Sequence, residues 1–428
     1  MSPLSRDHCR ALDAADPLAP LAAQFDLPAH TIYLDGNSLG ALPKAAVQAV
    51  AQAVQAEWGQ GLIRSWNDAG WIHRAQAVGD AIAPLIGAGP GEVMVADSTS
   101  INLHKVLWAA MSRAQSTPAR RVLLTEAVNF PTDRYIAQGL CDARGWTLRD
   151  APAADLTRAL AKPDVGLLLL TQVNYRSGAL HDMAAFNRAC RQAGVLSVWD
   201  LAHSAGAVPV DLKAPGAEAD FAVGCGYKFL NGGPGAPAFV WAHPGHVDQA
   251  EQPLRGWLGH AAPFAFETGY RPAPGISRYI CGTPPILSLT ALQAGVQTLR
   301  AADALGGMAA LRAKSLSLTD CFIEACRPAA TQHGLWLLTP EAHGQRGSQV
   351  SWACPPGLDG YGVMRALIAR GVIGDFRAGD GQAEPDLLRF GFAPLYNTHE
   401  QAWMAALALG EELMRCAQRP PVERPAVT

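Results

Sequence analysis

Between Glu92 and Trp241 the chain repeats one pattern. Short apolar runs, Arg121–Thr125, Val165–Thr171, Val195–Asp200, Phe221–Gly224 and Ala238–Trp241, alternate with stretches of helical character such as Met183–Ala193. Several runs are continuously apolar, which is how strands covered on both faces read. The alternation predicts α/β units around a mostly parallel sheet. Pro284-Pro285 then precedes a helical stretch, Ile286 to Arg300. A second, smaller α/β domain follows, with a helix over Met308–Cys326 and strands over Leu335–Leu338 and Ser348–Ala353. It continues with a helix over Gly362–Arg370, strands over Val372–Phe376 and Leu387–Phe392, and a last helix from His399 to about Ala417. The first thirty residues read as an irregular arm with a short helix, and Pro43 opens a helix to Trp58. The expected division is an arm over 1–50 packing with the small domain, a large domain over 51–301, a small one over 302–418, and a frayed Pro-rich tail over 419–428.

Composition narrows the class. The chain of 428 residues is long enough for two or three domains, and with 49% hydrophobic and 17% charged residues it is a globular chain rather than a disordered one. A net charge of −3 gives no basic footprint for nucleic acid or an anionic membrane. The nine cysteines are odd in number, scattered and free of any C-x-x-C pair, which argues against a disulfide framework or zinc knuckle. Reduced, buried thiols in a cytoplasmic protein are the expectation. Met1 to Asp16 lacks the apolar core of a secretory signal, and the longest apolar strings are too short to span a bilayer.

The chemistry concentrates between Asp200 and Lys228. Asp200 ends an apolar run, Ala202-His203 follows it, and Gly226-Tyr227-Lys228 leads into Asn231-Gly232-Gly233-Pro234-Gly235. An Asp-x-x-His alone is common, and a lysine before glycines is usually a solvated turn. Together, on successive strand-to-loop junctions where open sheets bind ligands, they are more specific. A carboxylate pairs with a protonated pyridine nitrogen, and an amine forms a Schiff base with an aldehyde. Pyridoxal 5'-phosphate needs both groups to act as an electron sink.

Other residues take meaning from that pair. Thr99 and Ser100 start a helix, as ordinary caps or as a seat where N–H groups and the helix dipole meet a phosphate. Phe130-Pro131-Thr132-Asp133 is either loop punctuation or an aromatic face for the pyridine ring with Thr132 and Asp133 fixing the loop. Thr171 ends a strand and either satisfies itself locally or reaches the ring oxygen. Tyr227 is a candidate for proton traffic, and His203 for stacking or hydrogen bonding near the ring. Arg389 sits inside an apolar strand, where a charge needs a partner: an internal acid or a substrate carboxylate. No metal is expected, because the close pair His243 and His246 has no third ligand.

These segments resemble fold-type-I pyridoxal-phosphate enzymes of the class V aminotransferase superfamily, and among them the kynureninase family. The resemblance rests on Tyr33 to Gly40, Thr99 to His104, Phe130 to Asp133, Trp199 to His203, Tyr227 to Asn231, Gly256 to His260, Gly282 to Leu287, and Arg389 with Ala393 to Asn397. It implies the aspartate-aminotransferase-like fold, with a seven-stranded, mostly parallel sheet. It implies hydrolysis of kynurenine, or its 3-hydroxy form, to anthranilate or 3-hydroxyanthranilate and alanine, in tryptophan catabolism. By the same resemblance Lys228 holds the cofactor, Asp200 faces the pyridine nitrogen, and Phe130 stacks on the ring. Thr99, Ser100, Tyr227 and Trp257 surround the phosphate. Thr283 reaches in from the second subunit of a homodimer, although the family often has Asn there. Arg389 takes the substrate carboxylate, Asn37 is a further substrate contact, and Trp66 is a wall for the aryl ring or simply a packed tryptophan. The nearest competitors are the cysteine desulfurases, which have His where Tyr227 stands and need a mobile nucleophilic cysteine; only Cys354 sits in a loop that suits one. An aminotransferase and a non-catalytic cofactor-binding regulator are the other readings.

Overall fold

The computed structural model describes residues 4–114, 119–381 and 383–416, which fall into two compact units. One is built from Ala45–Tyr175 and His181–Gln297, the other from the described parts of Met1–Lys44, Arg176–Leu180 and Thr298–Thr428. The tail expected over 419–428 lies outside the described residues.

The first unit holds seven strands: β1 (Val93–Val95), β2 (Val122–Glu126), β3 (Thr147–Ala151), β4 (Val165–Thr171), β5 (Leu196–Asp200), β6 (Phe221–Gly224) and β7 (Phe239–Ala242). Their order is β1-β7-β6-β5-β4-β2-β3, parallel except for β7, which is antiparallel to both its neighbours. This is the mostly parallel seven-stranded sheet that the apolar runs and the resemblance led us to expect. Every residue of β1, β2, β4, β6 and β7 is buried, as strands covered on both faces must be. The apolar pattern does not predict β3. Its Thr-Leu-Arg-Asp-Ala sequence lies at the sheet edge, partly open to water, where polar residues are tolerated and even protective.

The helices α1 (Thr99–Ala114), α2 (Pro131–Arg144) and α3 (Met183–Ala193) link these strands. Their ends follow local rules. Pro131 opens α2, where its missing N–H costs nothing, and left-handed Gly145 closes it. The side chain of Asp182 accepts from Ala185 N–H at 2.9 Å to cap α3, and Gly194 ends it. Parallel crossovers return the chain to one edge, so β2, β4 and β5 finish at the same rim with Glu126, Thr171 and Asp200. Register places Thr171 directly opposite Asp200.

The second unit has the strands β8 (Trp336–Leu337), β9 (Gln349–Ala353), β10 (Asp375–Arg377) and β11 (Leu387–Gly391), in the antiparallel order β8-β9-β11-β10. They are packed by α4 (Gly307–Gln332), α5 (Gly360–Ala369) and α6 (His399–Cys416). Phe322 of α4 anchors the core against Phe390 and Phe392, with ring centroids 4.8 and 5.3 Å away. The strand expected over Val372–Phe376 is split. Val372–Ile373 pairs in parallel with Ile32–Tyr33, and the chain joins the sheet only at Asp375. That pairing, with Gly391 N–H donating to Leu34 O at 2.6 Å, brings Asp35-Gly36-Asn37-Ser38 to the end of β11.

Candidate active site

At the rim of the first unit's sheet lies a cavity of about 270 Å³, close to the lower end of the roughly 300–1,000 Å³ typical of small-molecule sites. Thr99, Ser100, Phe130, Thr132, Asp133, Thr171, Asp200, His203, Tyr227 and Lys228 all line it, so ten of the predicted residues meet in one place. Ser98, Tyr175 and Ala202 complete the wall.

Each side chain is delivered by a nearby feature of the backbone. Ser98 Oγ accepts from Ile101 N–H at 3.4 Å, so the capping role expected of Thr99 or Ser100 falls to Ser98. Thr99 and Ser100 occupy the first turn of α1, with its positive dipole end beside the cavity. Phe130 sits just before α2, its amide donating to Asn129 Oδ1 at 2.7 Å, and its ring meets Tyr175 edge-on at 5.1 Å. Lys228 Nζ lies 2.9 Å from His203 Nε2 and 5.9 Å from the Phe130 ring centre.

The floor is a pair of buried acids. Asp200 and Asp133 are each 2% exposed and hydrogen-bond to one another. Burial pushes the Asp133 carboxyl well above the usual range, and the charge of Asp200 adds to that. Burial also raises Asp200, but Lys228 and the Ala202 N–H, 2.8 Å from Oδ1, oppose the rise. Two adjacent buried carboxyls cannot both ionise cheaply. Asp200 therefore carries the charge and Asp133 keeps the proton. Thr171 Oγ1 completes the floor, 2.5 Å from Asn129 Oδ1 and 3.1 Å from Asp133 Oδ2.

Some predicted residues lie elsewhere. Pro131, Trp257, Thr283 and Trp66 do not line the cavity. Trp257 is 40% exposed and meets Phe264 edge-on, Thr283 is exposed, and Trp66 packs edge-on against Trp71. Arg389 and Asn37 belong to the second unit. There Arg389, 1% exposed, forms an ion pair with Asp375 and donates to Ser38 Oγ at 2.9 Å. With its amide turned to match donors to acceptors, Asn37 accepts from Arg389 Nε at 3.0 Å and donates to Asp35 Oδ1 at 3.3 Å. Burial first, and the Asp375 charge second, push the Asp35 carboxyl up to about 7.

Relatives decide among the chemistries this geometry allows. The chain is 52% identical over 417 residues to a kynureninase from Pseudomonas fluorescens, covering 96% of each sequence. It is 52% identical to a kynureninase from Burkholderia pseudomallei, covering 99% of this chain and all of that one. The chain belongs to the kynureninase family. Residues 311–409 also match the family model described as the kynureninase C-terminal domain. Among solved structures, a cysteine desulfurase from Thermococcus onnurineus superposes with a TM-score of 0.75 at 19% identity, covering 92% of this chain and 98% of that one. A cysteine desulfurase from Escherichia coli gives 0.74 at 20% identity, covering 94% and 98%. At such identity these two share the fold.

The cavity of this kynureninase-family chain fits pyridoxal phosphate. One net carboxylate charge suits a protonated ring nitrogen, hydroxyls and helix N–H groups suit a phosphate, and Lys228 and Phe130 supply an amine and an aromatic face. The cysteine expected of a desulfurase does not fit. Cys354 is buried, and burial pushes its thiol up to about 12. Among the described residues no cluster of three or more metal-ligating side chains occurs. Sequence reasoning missed Ser98, Tyr175, Asp35 and Asp375. Ser98 left a local signal, the hydroxyl run Ser98-Thr99-Ser100, and Asp35 stood inside the Tyr33 to Gly40 segment that carries part of the resemblance.

Proposed function

We propose that the chain hydrolyses the Cβ–Cγ bond of L-kynurenine, or of its 3-hydroxy form, adding one water and releasing anthranilate, or 3-hydroxyanthranilate, and L-alanine. The observation that carries this reading is the meeting of Asp200, Lys228 and Tyr227 in one cavity of a chain 52% identical to kynureninases. When bound, pyridoxal phosphate supplies the electron sink for breaking bonds at the amino acid's α- and β-carbons. Lys228 Nζ anchors it and then moves the proton at Cα, and Asp200 holds the proton on the ring nitrogen. Phe130 and His203 orient the ring, while Thr99, Ser100 and the first turn of α1 hold the phosphate. Burial raises the Tyr227 hydroxyl, so at neutral pH it remains a proton donor, as required of an acid acting at the substrate's side-chain carbonyl. Arg389 receives the α-carboxylate, steadied by Asn37, Ser38 and Asp375.

The chain acts in this reading as a cytoplasmic homodimer. Trp58, Ile63, Phe264 and Phe266 in the first unit are each more than half exposed, which gives a partner apolar side chains to cover. Exposed Trp257 and Thr283 are then available to a partner's site. All nine cysteines are free, as a reducing compartment requires, and among the described residues no helix is long and apolar enough to cross a membrane.

The test is an anthranilate fluorescence assay with L-kynurenine and pyridoxal phosphate, run beside Lys228→Ala. Blue-fluorescent product is expected from the parent and none from the variant. Release of sulfide from cysteine without cleavage of kynurenine would overturn the reading.

A further inference from the structure

Lys105 lies on α1, about one and a half turns beyond the first-turn residues that face the cavity, and its side chain is fully buried. Its ammonium has three oxygen partners from three segments. It donates to Asp97 Oδ2 at 2.5 Å, to Asn102 Oδ1 at 3.3 Å and to Tyr279 O at 2.6 Å. The Cys281 thiol also lies within its hydrogen-bonding reach. An ammonium has three protons to give, so burial leaves none of them without an acceptor.

The partners share a geometric meaning. Asp97 is a non-glycine residue in the left-handed region (φ 51°), a conformation that persists only where its surroundings hold it. Its carbonyl accepts from Ala238 N–H at 2.9 Å, while Asn102 Nδ2 donates to Ala96 O at 2.7 Å. The turn so fixed leads directly into Ser98, Thr99 and Ser100. Tyr279 ends a short 3-10 helix, Gly275–Tyr279, and the chain then runs through Cys281 to Thr283. Lys105 thus joins the strained turn before the cavity's hydroxyl run to the segment that carries Thr283.

An ion pair whose ammonium is fully buried adds little stability over apolar side chains of similar volume, so its presence points to a need for fixed geometry. We propose that Lys105 is a positioning residue: it holds the Asp97 turn so that Ser98, Thr99 and Ser100 meet the cofactor phosphate, and ties that turn to the Cys281–Thr283 segment. This rests on the pyridoxal-phosphate reading above and adds the group that presets its phosphate seat.

The experiment titrates the cofactor-free protein with pyridoxal phosphate and, separately, with pyridoxal, which lacks the phosphate, following tryptophan fluorescence and the absorbance of bound cofactor. For Lys105→Met the dissociation constant for pyridoxal phosphate should rise about tenfold or more, as expected for a lost charged hydrogen-bond network, while that for pyridoxal stays unchanged. Asp97→Asn, at a position about one-third open to solvent, should shift the same ratio without burying an unpaired group, and serves if Lys105→Met does not fold. An unchanged ratio in both variants, with thermal stability lowered equally with and without cofactor, would overturn the inference and leave Lys105 a structural residue. A parent that binds no pyridoxal phosphate would sink the function and this inference together. A parent that binds it while the variants keep the ratio sinks this inference alone.

Discussion

Lys228 Nζ and His203 Nε2 lie 2.9 Å apart in the wall of a cavity that the Asp200–Asp133 pair also lines. The imidazole therefore fixes where the amine sits before any cofactor or substrate arrives. His203 itself is held on a buried turn three residues after Asp200, 4% exposed. Replacing it with alanine removes a hydrogen bond to the amine of Lys228, the proposed cofactor anchor, an interaction worth about 1.5–3 kcal/mol when one partner is charged. We expect kcat for kynurenine to fall about tenfold to a hundredfold in His203→Ala with pyridoxal phosphate saturating. Steady-state anthranilate release measures it, and an unchanged kcat would show that Lys228 is positioned by other groups.

The two floor acids should answer very differently to the same substitution. Asp200 carries the charge, so Asp200→Asn removes the group proposed to face the ring nitrogen and should lower kcat by about a thousandfold or more. Asp133 is already neutral, so Asp133→Asn preserves both charge and shape and should keep activity within about tenfold. The sign of the stability effect follows from the raised Asp133 carboxyl. The native state holds a proton that the unfolded chain, titrating near about 3.9, has lost. Stability of the cofactor-free parent therefore falls as pH rises above about 4, up to the raised native value. Asp133→Asn should flatten that part of the profile. Urea unfolding from pH 4 to 8 compares the two, and parallel profiles would mean that Asp133 is not the proton carrier.

The parts of the site that could be read from sequence share one property. Asp200, Thr171 and Lys228 stand where an apolar run breaks into polar or glycine-rich chain, and such breaks mark the rim of a parallel sheet. Phe130 and Pro131 mark a helix start in the same way. The remainder depends on pairings between distant segments. Asp35 reaches Arg389's surroundings because Ile32–Tyr33 pairs with Val372–Ile373, and Asp375 faces Arg389 because β10 pairs with β11. Tyr175 lies in a loop without periodicity and gains its role from the edge of Phe130. Arg389 left two readings open, an internal acid or a substrate carboxylate; the fold supplies Asp375, and the substrate contact remains for kinetics to test. β3 escaped notice because an edge strand does not need an apolar sequence.

The Asp35 carboxyl, pushed up to about 7, makes the surroundings of Arg389 sensitive to pH near neutrality. The charged groups there are Asp35, Asp375, Arg377 and Arg389, while burial keeps the Tyr33 hydroxyl protonated. Below about 7 Asp35 is neutral and the two arginines outnumber Asp375. Above it the charges balance and a substrate carboxylate is held less strongly. KM for kynurenine should therefore rise between pH 6 and 8.5 in the parent, by about tenfold at most if one charge is lost at close range. Asp35→Asn should hold KM at its low-pH value throughout. A variant that follows the parent's pH profile would remove Asp35 from the account.

Gly391 ends β11 where the Asn37 amide presses against the backbone. A Cβ built there would stand 1.7 Å from the terminal amide of Asn37 and 2.4 Å from its Cγ. The contact leaves no room for a methyl group, so in Gly391→Ala either the strand end or the Asn37 side chain must move. Asn37 is the side that can give, and moving it breaks its bonds to Arg389 and Asp35. Overpacking of this kind costs about 1–3 kcal/mol of stability, and the displaced amide leaves Arg389 less firmly oriented. If Arg389 takes the substrate carboxylate as proposed, the expected result is a higher KM for kynurenine with kcat changed much less, because that carboxylate does not react. Asn37→Ala in the Gly391→Ala background removes the two shortest contacts, leaves the Asn37 Cβ at 2.9 Å, and should recover part of the stability without recovering KM. Thermal unfolding and steady-state kinetics on the two variants separate these effects, and a normal KM in Gly391→Ala would show that Arg389 does not depend on Asn37 for its orientation.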